Sequence, residues 1–224
     1  MTPCLICQSE THPLYDPEIK VTHHVCDGCG YTFKDQSAHV GKTEEKALYS
    51  NHQNTLENTG YVNMFERFLD FTLEKRDVSG PALDFGSGPG PVLYELLKRR
   101  GFASHHYDPY FNDDQAVFLR SYGLITSTEV FEHLADPLST FRRLESLLKP
   151  GGTLAVMTSL RPVSDQDFLT WWYRRDQTHI GFFTEKALRK LTENTPMTLV
   201  KSNHKNHFLF TKNGGEQDES AYQE

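Results

Sequence analysis

The stretch ALDFGSGPG, Ala82 to Gly90, constrains this chain more than any other: three glycines stand at alternate positions, Gly86, Gly88 and Gly90, just after Asp84. An apolar run leads in, and a helical pattern from Pro91 to Arg100, closed by Gly101, leads out. Glycine permits sharp turns and close backbone approach, so the stretch predicts a strand, a bare turn that a ligand can touch, and a helix. The helix N-terminus adds unpaired N–H groups and partial positive charge. A dinucleotide's pyrophosphate calls for G-x-G-x-x-G, whereas this chain has G-x-G-x-G behind a carboxylate. Asp84 can accept hydrogen bonds from a cationic ligand or order the loop through backbone N–H groups.

Patterning around the glycines places further elements. Met64, Phe65, Phe68, Leu69 and Leu73 recur at helical spacing from Tyr61. SHHYDPY (104–110) reads as a strand ending at Asp108, and YGLITST (122–128) as another. Asp136-Pro137 opens a helix that KPGG (149–152) ends, and TLAVMTS (153–159) is a buried strand. Thr184 caps a helix to about Asn194, and MTLVKS (197–202) and HFLFTK (207–212) form a terminal hairpin. Strands alternating with helices predict a doubly wound α/β sheet with an antiparallel edge, its ligand at the carboxyl ends of the parallel strands.

All four cysteines fall in the first 29 residues, as two C-x2-C pairs, Cys4/Cys7 and Cys26/Cys29, 18 residues apart. That is zinc-ribbon spacing, and four thiolates around one Zn²⁺ make a closed, structural site. Disulfides and unrelated thiols are the alternatives. His12, His23 and His24 could replace a cysteine but are expected at the surface. Residues 1–40 hold only Lys20 and Lys34 against Glu10, Asp16, Glu18, Asp27 and Asp35, and the whole chain carries −7. Nucleic acid is therefore disfavoured as a partner, and a docking or substrate-shaping ribbon is expected. No apolar run approaches the roughly 20 residues that span a bilayer, and the N-terminus lacks a secretory pattern, so a cytoplasmic protein is expected.

LDFGSGPG (83–90), YDP (107–109), STEVFEHLADP (127–137) and LLKPGGTLAV (147–156) resemble, in order, the class I S-adenosylmethionine-dependent methyltransferases, over roughly residues 60–212. The resemblance implies a Rossmann-like methyltransferase sheet with an antiparallel C-terminal edge hairpin. The expected organisation is a Cys4 zinc ribbon (1–40), a linker and lid-like helix (41–78), the methyltransferase domain (79–212) and a disordered acidic tail (213–224). It also implies that Asp84, Gly86, Ser87, Gly88 and Gly90 line the methionine end of the cofactor. Asp108, with Pro109 beside it, would take the ribose hydroxyls, and Thr128, Glu129 and Val130 would end the fourth strand next to the cofactor. Two departures stand out. Asp108 and Thr128 are only 20 positions apart, tight for a third strand, which leaves Asp113 and Asp114 as candidates at the adenine. Gly123 stands where an acidic residue often precedes the fourth strand.

Methyl transfer is an in-line displacement, helped by alignment, water exclusion and, where the nucleophile loses a proton, a base. Glu129, Glu132 and His133 resemble the E-x-x-E-H cluster of quinone-pathway O-methyltransferases, which can hold a divalent cation; alternatively they stabilise a turn. DQTHIGFF (176–183) resembles the D-x-T-H-x-x-F-F/Y stretch of the same group, with His179 as a base oriented by Asp176. Trp171, Trp172 and Tyr173 would wall the acceptor pocket, and Tyr49 or Tyr61 would reach the cofactor; a core aromatic stripe is the alternative. A Cys4 segment ahead of such a domain resembles the sugar C-methyltransferases of deoxysugar pathways, which carry a large C-terminal domain that this chain is too short to hold.

The expected function is methylation of a small molecule with S-adenosylmethionine and a structural Zn²⁺. The alternatives are a non-catalytic binding module and a protein or RNA methyltransferase whose ribbon presents the substrate. A nicotinamide-dependent reductase is disfavoured by the glycine spacing.

Overall fold

The computed structural model describes residues 2–51, 54–76 and 78–214; the acidic tail expected from 213 lies mostly outside them. The chain begins with an antiparallel meander, β1 (Thr11–Asp16), β2 (Val21–Cys26) and β3 (Thr32–Lys34). Helix α1 (Lys42–Ser50) follows. Helix α2 (Thr59–Leu73) is capped by the Asn58 side chain, which accepts from Tyr61 N, and it buries Phe65, Phe68, Leu69 and Thr72.

The larger unit alternates β4 (Ala82–Phe85), α3 (Val92–Arg99), β5 (Ser104–Tyr107), β6 (Tyr122–Thr128), α4 (Pro137–Leu147) and β7 (Leu148–Met157). Then come α5 (Asp165–Thr170), the two-residue β8 (Gly181–Phe182), α6 (Glu185–Leu191), β9 (Met197–Ser202) and β10 (His207–Lys212). The main sheet has the order β5-β4-β6-β7-β10-β9. Its first four strands are parallel, and β10 runs antiparallel to β7 and β9. Side chains alternate across it with the period of two that a pleated strand imposes. Ala82, Leu124, Ala155, Met157 and Leu209 meet α2 and α3 on one face. Leu83, Ile125, Leu154, Val156, Phe208 and Phe210 meet α4 and α6 on the other.

Between β5 and β6, where a third parallel strand was in doubt, the described residues form a 3₁₀ turn, Gln115–Leu119. It is pinned by Val117, which is buried, and by the Tyr122 hydroxyl donating to Val117 O at 2.9 Å. The sheet therefore ends at β5.

The N-terminal sheet is joined to the larger unit by backbone. Strand β3 pairs with β8, so the cysteine-bearing sheet has the order β1-β2-β3-β8. Tyr31 and Phe33 share a core with Phe131 and Phe183. His23, expected at the surface, is instead fully buried, edge-on to Phe168 and Phe182. The period of two on β2 explains this, since His23 and Val25 point to the same buried face. His24 pairs with Asp35 at 3.1 Å, and His12 is exposed between Asp27 and Asp165.

The glycine at 123 has a steric reason. A Cβ there would lie 1.7 Å from the carbonyl oxygen of Ser79, where the chain enters β4. Gly123→Ala should force these strands apart and cost about 1–3 kcal/mol, the range for overpacking a filled core; a melting temperature equal to the parent's would contradict this contact.

Candidate active site

The carboxyl ends of β4, β5 and β6 open into a cavity of about 420 Å³. Asp84, Gly86, Ser87, Gly88 and Gly90 line it at β4 and the following turn, Asp108 and Pro109 after β5, and Thr128, Glu129 and Val130 at the end of β6. His133 lines it from the next turn, and Asp176 and His179 from the segment ahead of β8. Glu45 and Tyr49 of α1, Asn54, and Tyr61 and Phe65 of α2 complete the wall.

Only part of the glycine requirement faces the cavity's contents. Gly86 has φ +82°, and a Cβ there would fall 2.2 Å from Val130 Cγ2; at Gly90 it would fall 1.8 Å from the Asn54 carbonyl oxygen. Those two glycines make room for neighbouring chain. Gly88, at φ +65°, has only Asn54 Nδ2 near its missing Cβ, at 3.6 Å. The N-terminus of α3 beyond it has no side-chain cap. Bare backbone therefore faces the space at Gly88, where a ligand can approach closely.

Two aspartates bracket this turn. Asp108 Oδ2 accepts from Gly88 N at 2.9 Å, while Oδ1 accepts from Tyr110 N at 2.8 Å and Phe111 N at 3.1 Å. The residue thus braces the glycine turn and its own loop. Asp84 is buried, with Thr126 Oγ1 donating to it at 3.2 Å. Burial, with Asp108 nearby, pushes its carboxyl up to about 7. No lysine or arginine lines the cavity among the described residues, although Glu45, Asp84, Asp108, Glu129 and Asp176 all do.

The far wall holds two imidazoles. His133 Nδ1 lies 2.9 Å from Thr178 O, and His179 Nδ1 lies 2.8 Å from Tyr173 O. A carbonyl only accepts, so each Nδ1 carries hydrogen and each Nε2 keeps a free lone pair. Burial holds both rings below the usual histidine range, His179 at about 4, with His133 adding to the effect on His179. The ring centroids are 4.8 Å apart.

Beneath them the Tyr173 hydroxyl lies 2.5 Å from Glu132 Oε1 and 3.1 Å from Glu129 Oε2. Burial beside Glu132 pushes Glu129 up to about 8, so its carboxyl is largely neutral at pH 7. Glu129 also holds φ +53°, unusual for a residue with a side chain, at the mouth of the cavity.

Several expected roles change. Asp176 does not orient His179 through Nδ1, because the Tyr173 carbonyl occupies that nitrogen. Asp176 Oδ1 is taken by Thr178, and Oδ2 lies 3.8 Å from His179 Nε2. The donor atoms that converge within 4.8 Å belong to Glu132, His133 and His179, so Glu129 is replaced by His179 in that group. Trp171, Trp172 and Tyr173 are absent from the cavity lining: Trp171 stacks on Tyr173, Trp172 is exposed, and Tyr173 is buried below His179. Asp113 is exposed and Asp114 caps the 3₁₀ turn through Ala116 N, so neither reaches the cavity. Glu45 and Tyr110 were not anticipated. Glu45 accepts from Tyr49 at 2.8 Å and from Tyr110 at 2.5 Å, tying α1 to the loop after β5. The i, i+4 spacing of Glu45 and Tyr49 on a helix was the available signal.

The four cysteines gather at the other end of the molecule's N-terminal sheet. The sulfurs lie within 4.8 Å of one another, with 3.7 Å from Cys4 to Cys29, 3.4 Å from Cys7 to Cys26 and 3.5 Å from Cys26 to Cys29. No disulfide joins them. A tetrahedron with metal–sulfur bonds of about 2.3 Å has edges of about 3.8 Å, so the cluster matches a Zn²⁺ thiolate site. Ile6 N and Cys29 N donate to Cys4 Sγ and Cys26 Sγ, as sulfurs carrying negative charge require.

Residues 57–202 match the family model described as a methyltransferase domain. The chain belongs to that family. A curated relative, the ubiquinone biosynthesis O-methyltransferase of Vibrio parahaemolyticus, is 28% identical over 97 residues, 43% of this chain and 41% of that protein. The match thus spans about two fifths of the relative's length. Similar solved structures include the N-methyltransferase NodS from Bradyrhizobium japonicum in complex with S-adenosyl-L-homocysteine, with TM-score 0.49, 17% identity, and coverage of 75% of this chain and 97% of that one. Magnesium protoporphyrin IX methyltransferase from Synechocystis, with bound S-adenosylhomocysteine, gives TM-score 0.48, 14% identity, and coverage of 77% and 90%.

Nitrogen-edited NMR of the histidine side chains at pH 7 should find His133 and His179 neutral and protonated at Nδ1, with His179 charging only as the pH nears 4. An Nε2–H form of either ring would contradict the assignment.

Proposed function

We propose that this chain is an S-adenosylmethionine-dependent methyltransferase acting on a small molecule that presents a hydroxyl or an amine. The observation that carries the reading is a cavity that joins a bare glycine turn, two aspartates and two neutral imidazoles, with no lysine or arginine among its described lining residues. When bound, S-adenosylmethionine supplies a methyl carbon activated by a cationic sulfur. Asp84 would receive the ammonium at the methionine end, and Asp108 the ribose hydroxyls. The bare turn at Gly86, Ser87, Gly88 and Gly90 would lie against the methionine end, while Pro109, Thr128, Glu129 and Val130 shape the wall. On the acceptor side, His179 Nε2 is the base and His133 the second polar contact. Asp176, 3.8 Å from that Nε2, favours the charged ring once it holds the proton. With Asp176 beside the base and no lysine or arginine among the described lining residues, the reacting end favours a neutral hydroxyl or amine over an acid or a phosphate.

A library of phenols, amines and carboxylic acids, screened by released S-adenosylhomocysteine, should yield acceptors in the first two classes; methylation confined to the acids would overturn the acceptor assignment. Cofactor binding tests the reading directly. A bound ammonium favours the ionised Asp84, whose free carboxyl titrates near 7. Affinity for S-adenosylhomocysteine should therefore be full above pH 8 and weaken below 7, approaching about tenfold per pH unit. Asp84→Asn should bind more weakly with a flatter profile. Calorimetry that finds no binding by the parent at any pH sinks the proposal.

We also propose that Cys4, Cys7, Cys26 and Cys29 hold a structural Zn²⁺. Purified protein should then contain about one zinc per chain, and Cys26→Ser should lower both zinc content and melting temperature. A metal-free protein with an unchanged melt would reject the site.

A further inference from the structure

His179 depends on bonds that originate in the first 34 residues. Its Nδ1 is fixed by the carbonyl of Tyr173, and its backbone N–H donates to the carbonyl of Asp176. Both carbonyls belong to a segment gripped by the N-terminal sheet. Lys34 Nζ donates to that same Asp176 carbonyl at 2.6 Å, and Lys34 N donates to Ile180 O at 2.9 Å. Arg174, next to Tyr173, forms a fully buried ion pair with Asp16, Nε to Oδ2 at 2.6 Å, and a second with Glu18 at 2.6 Å. Asp16 in turn is held by the turn after β1, where Glu18 N donates to Oδ1 at 2.9 Å. The β3–β8 pairing closes the segment's far end.

Lys34 is buried, and that burial pulls its ammonium down to about 8, countered by Asp176 and Asp16, so it remains mostly charged at pH 7. A buried lysine in a chain segment with few cations is costly to keep unless its hydrogen bond is worth retaining. By contrast, Asp108 is held by the amides of Gly88, Tyr110 and Phe111, and Asp84 by Thr126, all on the β4–β6 side of the site.

We propose that Lys34 and Asp16 are positioning residues for His179: the N-terminal sheet steadies the segment whose Tyr173 carbonyl sets the ring's tautomer and whose Asp176 carbonyl holds the His179 backbone, and so aims the free Nε2. The proposal rests on reading His179 as the acceptor-side base. It gives the cysteine-bearing segment a role inside the enzyme, as the frame of the acceptor half of the site.

The full-length protein tests this with Lys34→Met, which removes the ammonium donor, Lys34→Arg, which retains a cationic donor, and Asp16→Asn. Three readouts are compared with the parent. Affinity for S-adenosylhomocysteine should stay within about threefold, because the cofactor side is untouched. Nitrogen-edited NMR should show His179 losing its single Nδ1–H form in Lys34→Met and regaining it in Lys34→Arg. Hydrogen exchange at the His179 and Ile180 amides should quicken by about tenfold or more in Lys34→Met. If Asp16→Asn fails to fold because Arg174 is left unpaired, the lysine pair alone decides. A folded Lys34→Met protein with parental His179 resonances and parental exchange overturns the proposal. Equal loss in Lys34→Met and Lys34→Arg, with cofactor affinity falling in step, also overturns it, since that marks general destabilisation. Absence of cofactor binding in the parent would instead sink the methyltransferase reading, while the NMR and exchange comparison still reports on the coupling.

Discussion

Carboxyl groups gathered at the mouth of the sheet, with no lysine or arginine lining the cavity among the described residues, set the terms for everything else in this molecule. Glu45, Asp84, Asp108, Glu129 and Asp176 share one cavity. Each is managed locally: Asp108 by three backbone N–H groups, Glu45 by two tyrosine hydroxyls, Asp176 by Thr178. Asp84 and Glu129 are not fully compensated, and their carboxyls rise toward neutrality instead. A ligand bearing positive charge relieves this strain, whereas an anion adds to it. Burial keeps the His179 ring neutral at rest, and nearby Asp176 opposes that effect only in part.

Much of this architecture is legible in the sequence because its causes are local. The strand–turn–helix order around the glycines, the capping Asp136 and the terminal hairpin each depend on neighbours a few residues away, whereas KPGG, expected to end the helix, lies within β7, because α4 already stops at Leu147. Strand β6 was readable from a continuous run, since a central parallel strand is buried on both faces. The shortened connection after Asp108 was readable as arithmetic, and the sheet does end at β5. The cavity residues from β4, β5 and β6 follow from the rule that ligands gather at the strand carboxyl ends.

What was not legible is set by contacts distant in sequence. Lys34 and Asp176 are 142 positions apart, and Arg174 and Glu18 are 156 apart. Neither pattern nor propensity announces such pairs. The aromatic run at 171–173 misled for a related reason. Aromatic residues near a ligand edge can face either the ligand or the core, and here Phe168 and Phe182 supply the core that claims Trp171 and Tyr173. Similarly, the glycines announce close approach without saying by what. At 86 and 90 the approaching atoms belong to Val130 and Asn54.

That last contact bears on which part of the chain makes the site specific. The carbonyl of Asn54 sits where a side chain at 90 would be, α1 reaches the loop after β5 through Glu45, and Tyr61 and Phe65 of α2 close the remaining wall. Behind the opposite wall, β1 to β3 fix the segment that carries His179. The sheet from β4 onward supplies the turn, the two aspartates and the strand ends. The roof, and the frame of the acceptor side, come from residues before 80. A chain lacking them would keep the glycine turn but lose the wall from α1 and α2 and the bonds from Lys34, Asp16 and Glu18 to the segment around His179. On the proposed reading, discrimination between acceptors resides in the N-terminal third as much as in the segment between β7 and β8.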